Sequence, residues 1–200
     1  MRRLNHRQLR YPIRRPGPRH VLRLQRLDDR CLPSGTPFVQ QTNLVSDQPG
    51  VAPVTDPNLI NPWGIALPPN GAMWVSDNGA GRTSLFRGDV NGSPFVQNPG
   101  LTVVNGLGAP TGQVFNGTGQ FVIHSANGDS GTALFIFVSE LGNITGWNPN
   151  VPKSTATPPV PSDQAQLAVS VPGAIFKGTA IGSDGTNNFL FATEDRKSVV

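Results

Sequence analysis

Residues 62–79 read PWGIALPPNGAMWVSDNG. Two short apolar runs, WGIAL and AMWV, flank a PPNG break, and the second run ends in Ser-Asp-Asn-Gly. Short runs of this composition bounded by Gly, Pro and Asn predict two strands joined by a tight turn. The first run recurs. Pro62-Trp63-Gly64-Ile65-Ala66-Leu67 is echoed 48 residues on by Pro110-Thr111-Gly112-Gln113-Val114-Phe115, and 66 residues later by Phe176-Lys177-Gly178-Thr179-Ala180-Ile181. The longer second interval is accounted for by NPNVPKSTATPPVPSDQ (148–164), a Pro/Ser/Thr-rich stretch that predicts a surface loop. The second run, MWVSDNG (73–79), is echoed by FVIHSANG (121–128) at an offset of 48 with one residue of slippage, and by FLFATE (189–194).

A repeat of this size, built from short strands and Gly/Asn turns, is the signature of a propeller blade. Alone, a four-stranded sheet buries little; stacked face to face around an axis, successive sheets share their apolar surfaces. The predicted strands are WGIAL, AMWVS, TSLFRG and LTVV in the first unit, and TGQVF, QFVIHS, ALFIFVS and NITGW in the second. The units fall near 38–105, 106–172 and 173–194, with FVQQTNLV (38–45) as a further strand candidate. The fold class is thus all-β, an incomplete β-propeller with about three blades present. Ser-Asp-Asn-Gly marks the exit of a second strand, where Asn and Gly tolerate positive φ.

Composition agrees. The 23 Gly and 20 Pro among 200 residues are nearly double their ordinary share of about 12%, a load that disfavours long helices. Residues 1–30 carry ten Arg against Asp28 and Asp29, whereas residues 31–194 carry a net charge of −5. Residues 1–37 therefore read as a basic, disordered leader. The acidic body lacks the basic stripe that nucleic-acid binding requires, so no nucleic-acid partner is expected. Cys31 stands alone, which rules out an intrachain disulfide framework. No stretch is long and apolar enough for a transmembrane helix.

Several longer motifs carry a resemblance: NLVSDQPGVAPVTDPNLINPWGIAL (43–67), GAPTGQVFN (108–116), FIFVSELGNITGWNP (135–149) and GAIFKGTAIGSDGTNNFLFAT (173–193). Over about residues 40–193 the chain resembles an uncharacterised, PEP-CTERM-associated family of conserved hypothetical bacterial proteins. The resemblance implies a six-bladed, NHL/TolB-like propeller of unknown activity, exported to the periplasm or cell surface. It brings no catalytic residues. It also implies further blades beyond the third unit. The closing Asp195–Val200, DRKSVV, resembles a translated sequencing adapter and is expected to be a non-native tail.

Candidate chemistry is sparse. GDSG (128–131) resembles the nucleophile loop of trypsin-like proteases, but no separate His and Asp segments complete a triad, and a hairpin turn is the better reading. Asp77, Asn78, Asn127 and Asp129 occupy what the repeat makes equivalent strand exits, and are the candidate ligands for a metal such as Ca²⁺. His124 is expected to be a hydrogen-bonded core or channel residue. Trp63, Trp74 and Trp147 are expected as aromatic wedges between blades, with a carbohydrate-stacking platform as the alternative. NGT (116–118) and NIT (143–145) match glycosylation acceptors. The function expected is a non-catalytic exported or surface-associated module binding a protein or glycan; the alternative is a metal-dependent, lactonase-type hydrolase.

Overall fold

The computed structural model describes residues 41–195, and the compact unit that carries the sheets begins at Thr42. The leader and residues 196–200 of the closing segment lie outside the described residues. Among the described residues the protein is all-β, with no α-helix, and no sheet closes on itself. Two short parallel strands, β1 (Val45–Ser46) and β2 (Val54–Thr55), open the chain. Of the strand expected from FVQQTNLV, residues 38–40 lie outside the described residues, and among residues 41–45 only Val45 is in a strand, β1.

The first large sheet is an antiparallel meander of β3 (Pro62–Ala66), β4 (Met73–Asp77) and β5 (Arg82–Arg87), as WGIAL, AMWVS and TSLFRG predict. Its fourth strand comes in two pieces, β6 (Val96–Gln97) and β7 (Val103–Val104), both paired with β5. Pro99 cannot donate to a ladder, and Gly100 takes φ 83°, so the chain bows out between them. The ladder survives the interruption, because the Asn98 N–H donates to the Leu85 carbonyl and the Leu85 N–H to that of Thr102.

The second sheet differs from the strand order expected. β8 (Pro110–Phe115) pairs directly with β11 (Phe135–Ser139), followed by β12 (Asn143–Trp147) and β13 (Gln166–Ser170). The run QFVIHS supplies β9 (Val122–His124), which pairs only with β10 (Ser130–Thr132) as a separate hairpin. The partner of β8 must be buried on both faces, and all five residues of FIFVS are buried. FVIHS presents exposed Val122 and His124 and carries its own Asn-Gly turn, the local signal of an independent hairpin. The third sheet is the hairpin β14 (Phe176–Ser183) with β15 (Asn188–Glu194).

One pattern recurs in all three sheets. The N–H of the residue at the end of the second strand donates to the carbonyl just before the first: Asn78 to Asn61 at 3.2 Å, Glu140 to Ala109 at 3.0 Å, and Asp195 to Ile175 at 3.0 Å. The first strands of the three sheets, β3, β8 and β14, also approach one another in a repeated way. A Cβ on Gly64 would lie 2.6 Å from the Thr111 carbonyl oxygen, and one on Gly112 would lie 2.7 Å from the Thr179 nitrogen. Glycine is required at both positions because the obstructing atoms are backbone.

Apolar packing fills the space between neighbouring sheets. Trp74 and Leu85 of the first sheet pack with Phe135, Phe137 and Trp147 of the second, and Trp74 stacks on Phe135 at 4.0 Å between centroids. Val138, Phe176 and Ala192 form the core between second and third sheets. Fully burying such side chains stabilises by about 1.5–3 kcal/mol each. Buried polar groups join the same interfaces. Thr111 Oγ1 donates to the Phe176 carbonyl at 2.7 Å, and Gln113 Nε2 donates to the carbonyls of Gly64 and Trp74 at 2.8 and 2.7 Å.

Candidate functional site

The strand order decides which residues are structurally equivalent. In register, Asp77 lies opposite Pro62, Ser139 opposite Pro110, and Glu194 opposite Phe176. The counterparts of Asn78 are therefore Glu140 and Asp195, not Asn127. The four proposed ligands divide into two places. Asp77 ends β4 and Asn78 opens the single 3-10 turn that follows it, whereas Asn127 and Asp129 lie in the turn of the β9–β10 hairpin. There Asn127 accepts from Ser125, and Asp129 accepts from the Lys153 N–H at 2.9 Å, with the Lys153 ammonium at 3.9 Å. The first contact is internal to the turn, and the Asp129–Lys153 contacts brace the hairpin against the 148–164 loop. Among the described residues, no three His, Cys, Asp or Glu side chains cluster as a metal centre would need.

At the β4 end, a polar chain links all three sheets. Asn61, held at φ 50°, donates from Nδ2 to Asn78 Oδ1 at 3.1 Å. Asn78 Nδ2 donates to Glu140 Oε2 at 3.1 Å, and the Lys177 ammonium donates to Glu140 Oε1. Lys177 also lies over the Trp63 ring, 4.9 Å from its centroid, a cation–π contact. The hydrogen bonds from Lys177 and Asn78 hold the Glu140 carboxyl below its ordinary value. Trp63, Gly64, Thr111, Gly112, Lys177 and Gly178 line an open cleft of about 250 Å³ beside this chain. They are the second and third residues of β3, β8 and β14, each of which has one edge without a strand partner.

A buried acidic pair, Asp77 with Asp56, lies at the same end of β4. Asp77 accepts from Ser84 Oγ at 2.6 Å through Oδ2, while Oδ1 has no partner. Asp56 accepts from the N–H and Nδ2 of Asn58 through Oδ1, and its Oδ2 has none. Arg82 reaches the same Asn58 through Nη1 at 3.1 Å. Burial pushes the Asp77 pKa up to about 7; the Asp56 charge adds to the rise, and Ser84 and Arg82 oppose it.

Other sequence candidates resolve plainly. Trp74 and Trp147 are inter-sheet wedges, but Trp63 is 46% exposed. His124 is exposed on β9 rather than in a core or channel. The GDSG segment forms the end of the hairpin turn and the start of β10. Asn116 of NGT is buried, with Nδ2 donating to Gln120 and Ala133 carbonyls and Oδ1 accepting from Thr118, so the folded protein offers no acceptor amide there. Glu140 and Lys177 escaped sequence reasoning. The signal that could have found them is their place in the repeat: Lys177 aligns with Trp63, and Glu140 follows FIFVS as Asn78 follows MWVSD.

No helix among the described residues is long and apolar enough to cross a membrane. No protein-family model matches the chain. Over 113 residues, 54% of the chain, it is 38% identical to the uncharacterized protein R648 of Acanthamoeba polyphaga mimivirus. The match covers 26% of that protein, so the chain spans about a quarter of its relative's length.

Proposed function

We propose that the three sheets are successive blades of a six-bladed β-propeller and that the chain is a non-catalytic binding module. On this reading it is displayed outside the cell, and its partner is a protein or a glycan. The observation that supports it best is the repeated approach of innermost strands, Gly64 onto the Thr111–Gln113 segment and Gly112 onto Gly178–Thr179. A repeated contact of one kind generates a regular array, and a rotation at each step makes that array a ring. Export is supported by the resemblance to the PEP-CTERM-associated family.

Distances between equivalent positions test the ring. With spin labels in pairs at Leu67, Phe115 and Ile181, each three residues past its glycine, sixfold rotation sets the 67–181 separation at about 1.7 times the mean of the other two. A straight stack gives about 2 and would overturn the reading. The calcium-dependent hydrolase has less support. Asp56 and Asp77 each hold a free buried oxygen, but Asn127 and Asp129 are committed to the hairpin. Lactone turnover that requires Ca²⁺ and is lost in Asp77→Ala would establish the hydrolase and reject the non-catalytic module.

A further inference from the structure

We propose that the cleft between the three innermost strands binds a neutral saccharide, with one sugar ring stacked on Trp63. This deepens the binding-module reading and rests on it. Trp63 is the starting point: it stands where the other repeats have Thr111 and Lys177, and it is the tryptophan left half in solvent. An exposed indole offers a flat apolar surface with a negative face, which suits the C–H-bearing face of a pyranose. Lys177 lies over one face of the ring, a cation–π contact that favours one orientation of the indole, so less rotamer freedom is lost on binding.

The surrounding groups suit hydroxyls. Asn78, Glu140 and Lys177 supply an amide, a carboxylate and an ammonium within one connected chain. The edges of β3, β8 and β14 that lack a strand partner add backbone donors and acceptors, apart from the Gly64 and Phe176 carbonyls, which already accept from Gln113 and Thr111. Charge selects the ligand class. Lys177 and Glu140 neutralise each other, so the cleft presents no net charge to attract a phosphate, a uronate or a cation. A cleft of about 250 Å³ is smaller than the roughly 300–1,000 Å³ of sites for drug-sized ligands. It therefore takes one ring, and the rest of an oligosaccharide runs out along the polar chain.

The full 200-residue chain is titrated with cellotetraose, maltotetraose and chitotetraose, and with polygalacturonate as the anionic comparison. Trp74 and Trp147 are buried, so acrylamide quenching of tryptophan fluorescence reports Trp63. At least one neutral tetrasaccharide is expected to protect the quenchable fraction, with a Kd of about a millimolar. Trp63→Ala should weaken binding, followed by calorimetry, by about tenfold or more, and Trp63→Phe should retain part of it. Circular dichroism and the buried-tryptophan emission show that each variant is folded.

No protection by any neutral sugar up to about 10 mM, protection by polygalacturonate alone, or unchanged affinity in a folded Trp63→Ala protein each overturns the proposal. The label distances are read separately. Ring-like distances with no sugar bound defeat this inference alone. Sugar binding through Trp63 with linear distances defeats the ring alone.

Discussion

Asn78 donates its side-chain N–H to Glu140 Oε2 at 3.1 Å, joining the residues that follow the second strands of two consecutive sheets. Glu140 is in turn paired with Lys177 of the third sheet, both side chains being 31% exposed. Glu140→Gln keeps an acceptor for Asn78 and removes only the charge. Pairs this open to water contribute little, so urea unfolding at low salt should show a loss of less than about 1 kcal/mol that vanishes at high salt. Because the Glu140 pKa is lowered on folding, its stabilisation is present above the unfolded value and is lost as pH falls through the folded one. A loss above about 2 kcal/mol that ignores salt would mean the chain of contacts is structural rather than a solvated rim.

Asp77 makes the opposite prediction. Its pKa rises from 3.8 unfolded to about 7 folded, so the folded protein holds the extra proton between those values. Its contribution to stability is therefore greatest below about pH 4, falls as pH rises to about 7, and levels off above it. Asp56 and Arg82 are the charged groups acting on it, and neither is removed by Asp77→Asn. That variant should lose this downward slope, a difference on the order of 4 kcal/mol across the window for a carboxyl this buried. Melting temperatures of both proteins from pH 4 to 8 decide it; parallel curves would show that Asp77 is ionised throughout.

The first strands of the three sheets were legible in the sequence because Gly64 and Gly112 each stand where a neighbouring strand's backbone passes, and Gly178 keeps the same place in its own run. The second strand of the second sheet was not. FVIHS and FIFVS are both short and β-branched, and periodicity cannot rank them. What separates them is burial on both faces in FIFVS and the Ser-Ala-Asn-Gly-Asp turn that lets FVIHS pair with itself. That misreading also carried Asn127 and Asp129 to a false equivalence with Asn78. The site groups Glu140 and Lys177 are ordinary surface residues in one dimension. They meet only because register aligns three strand ends that are 62 and 37 residues apart.

Trp147 links the core to the 148–164 loop, since its Nε1 donates to the Ser162 carbonyl at 2.8 Å while its ring packs on Trp74 at 4.8 Å. Trp147→Phe retains an aromatic ring and deletes the donor, which leaves a buried carbonyl unpaired. The loop should open more often, and trypsin should cut after the exposed Lys153 about fivefold faster, with global stability reduced by about 1–2 kcal/mol. A cleavage rate equal to the parent's would show that the Asp129–Lys153 contacts hold the loop by themselves.

The docking of sheets can be tested at one carbon atom. Gly112 has no positive φ to excuse it, so any cost of Gly112→Ala is steric. The added methyl would meet the Thr179 nitrogen at 2.7 Å and the Gly178 Cα and carbonyl carbon at 2.8 Å. None of these is a flexible side-chain tip, so the β8 and β14 strands must separate. Separation strains the Thr111–Phe176 hydrogen bond and opens the Val138–Phe176–Ala192 core. The expected loss is about 2–4 kcal/mol by urea unfolding, with faster amide exchange in Phe176–Ser183 than in β4 and β5. Gly119→Ala is the control, because nothing lies within 4 Å of its added Cβ and its φ is ordinary, and it should be neutral within about 0.5 kcal/mol. If Gly112→Ala is as mild as Gly119→Ala, β8 and β14 are not in backbone contact, and the close approach that orders these sheets is absent in solution.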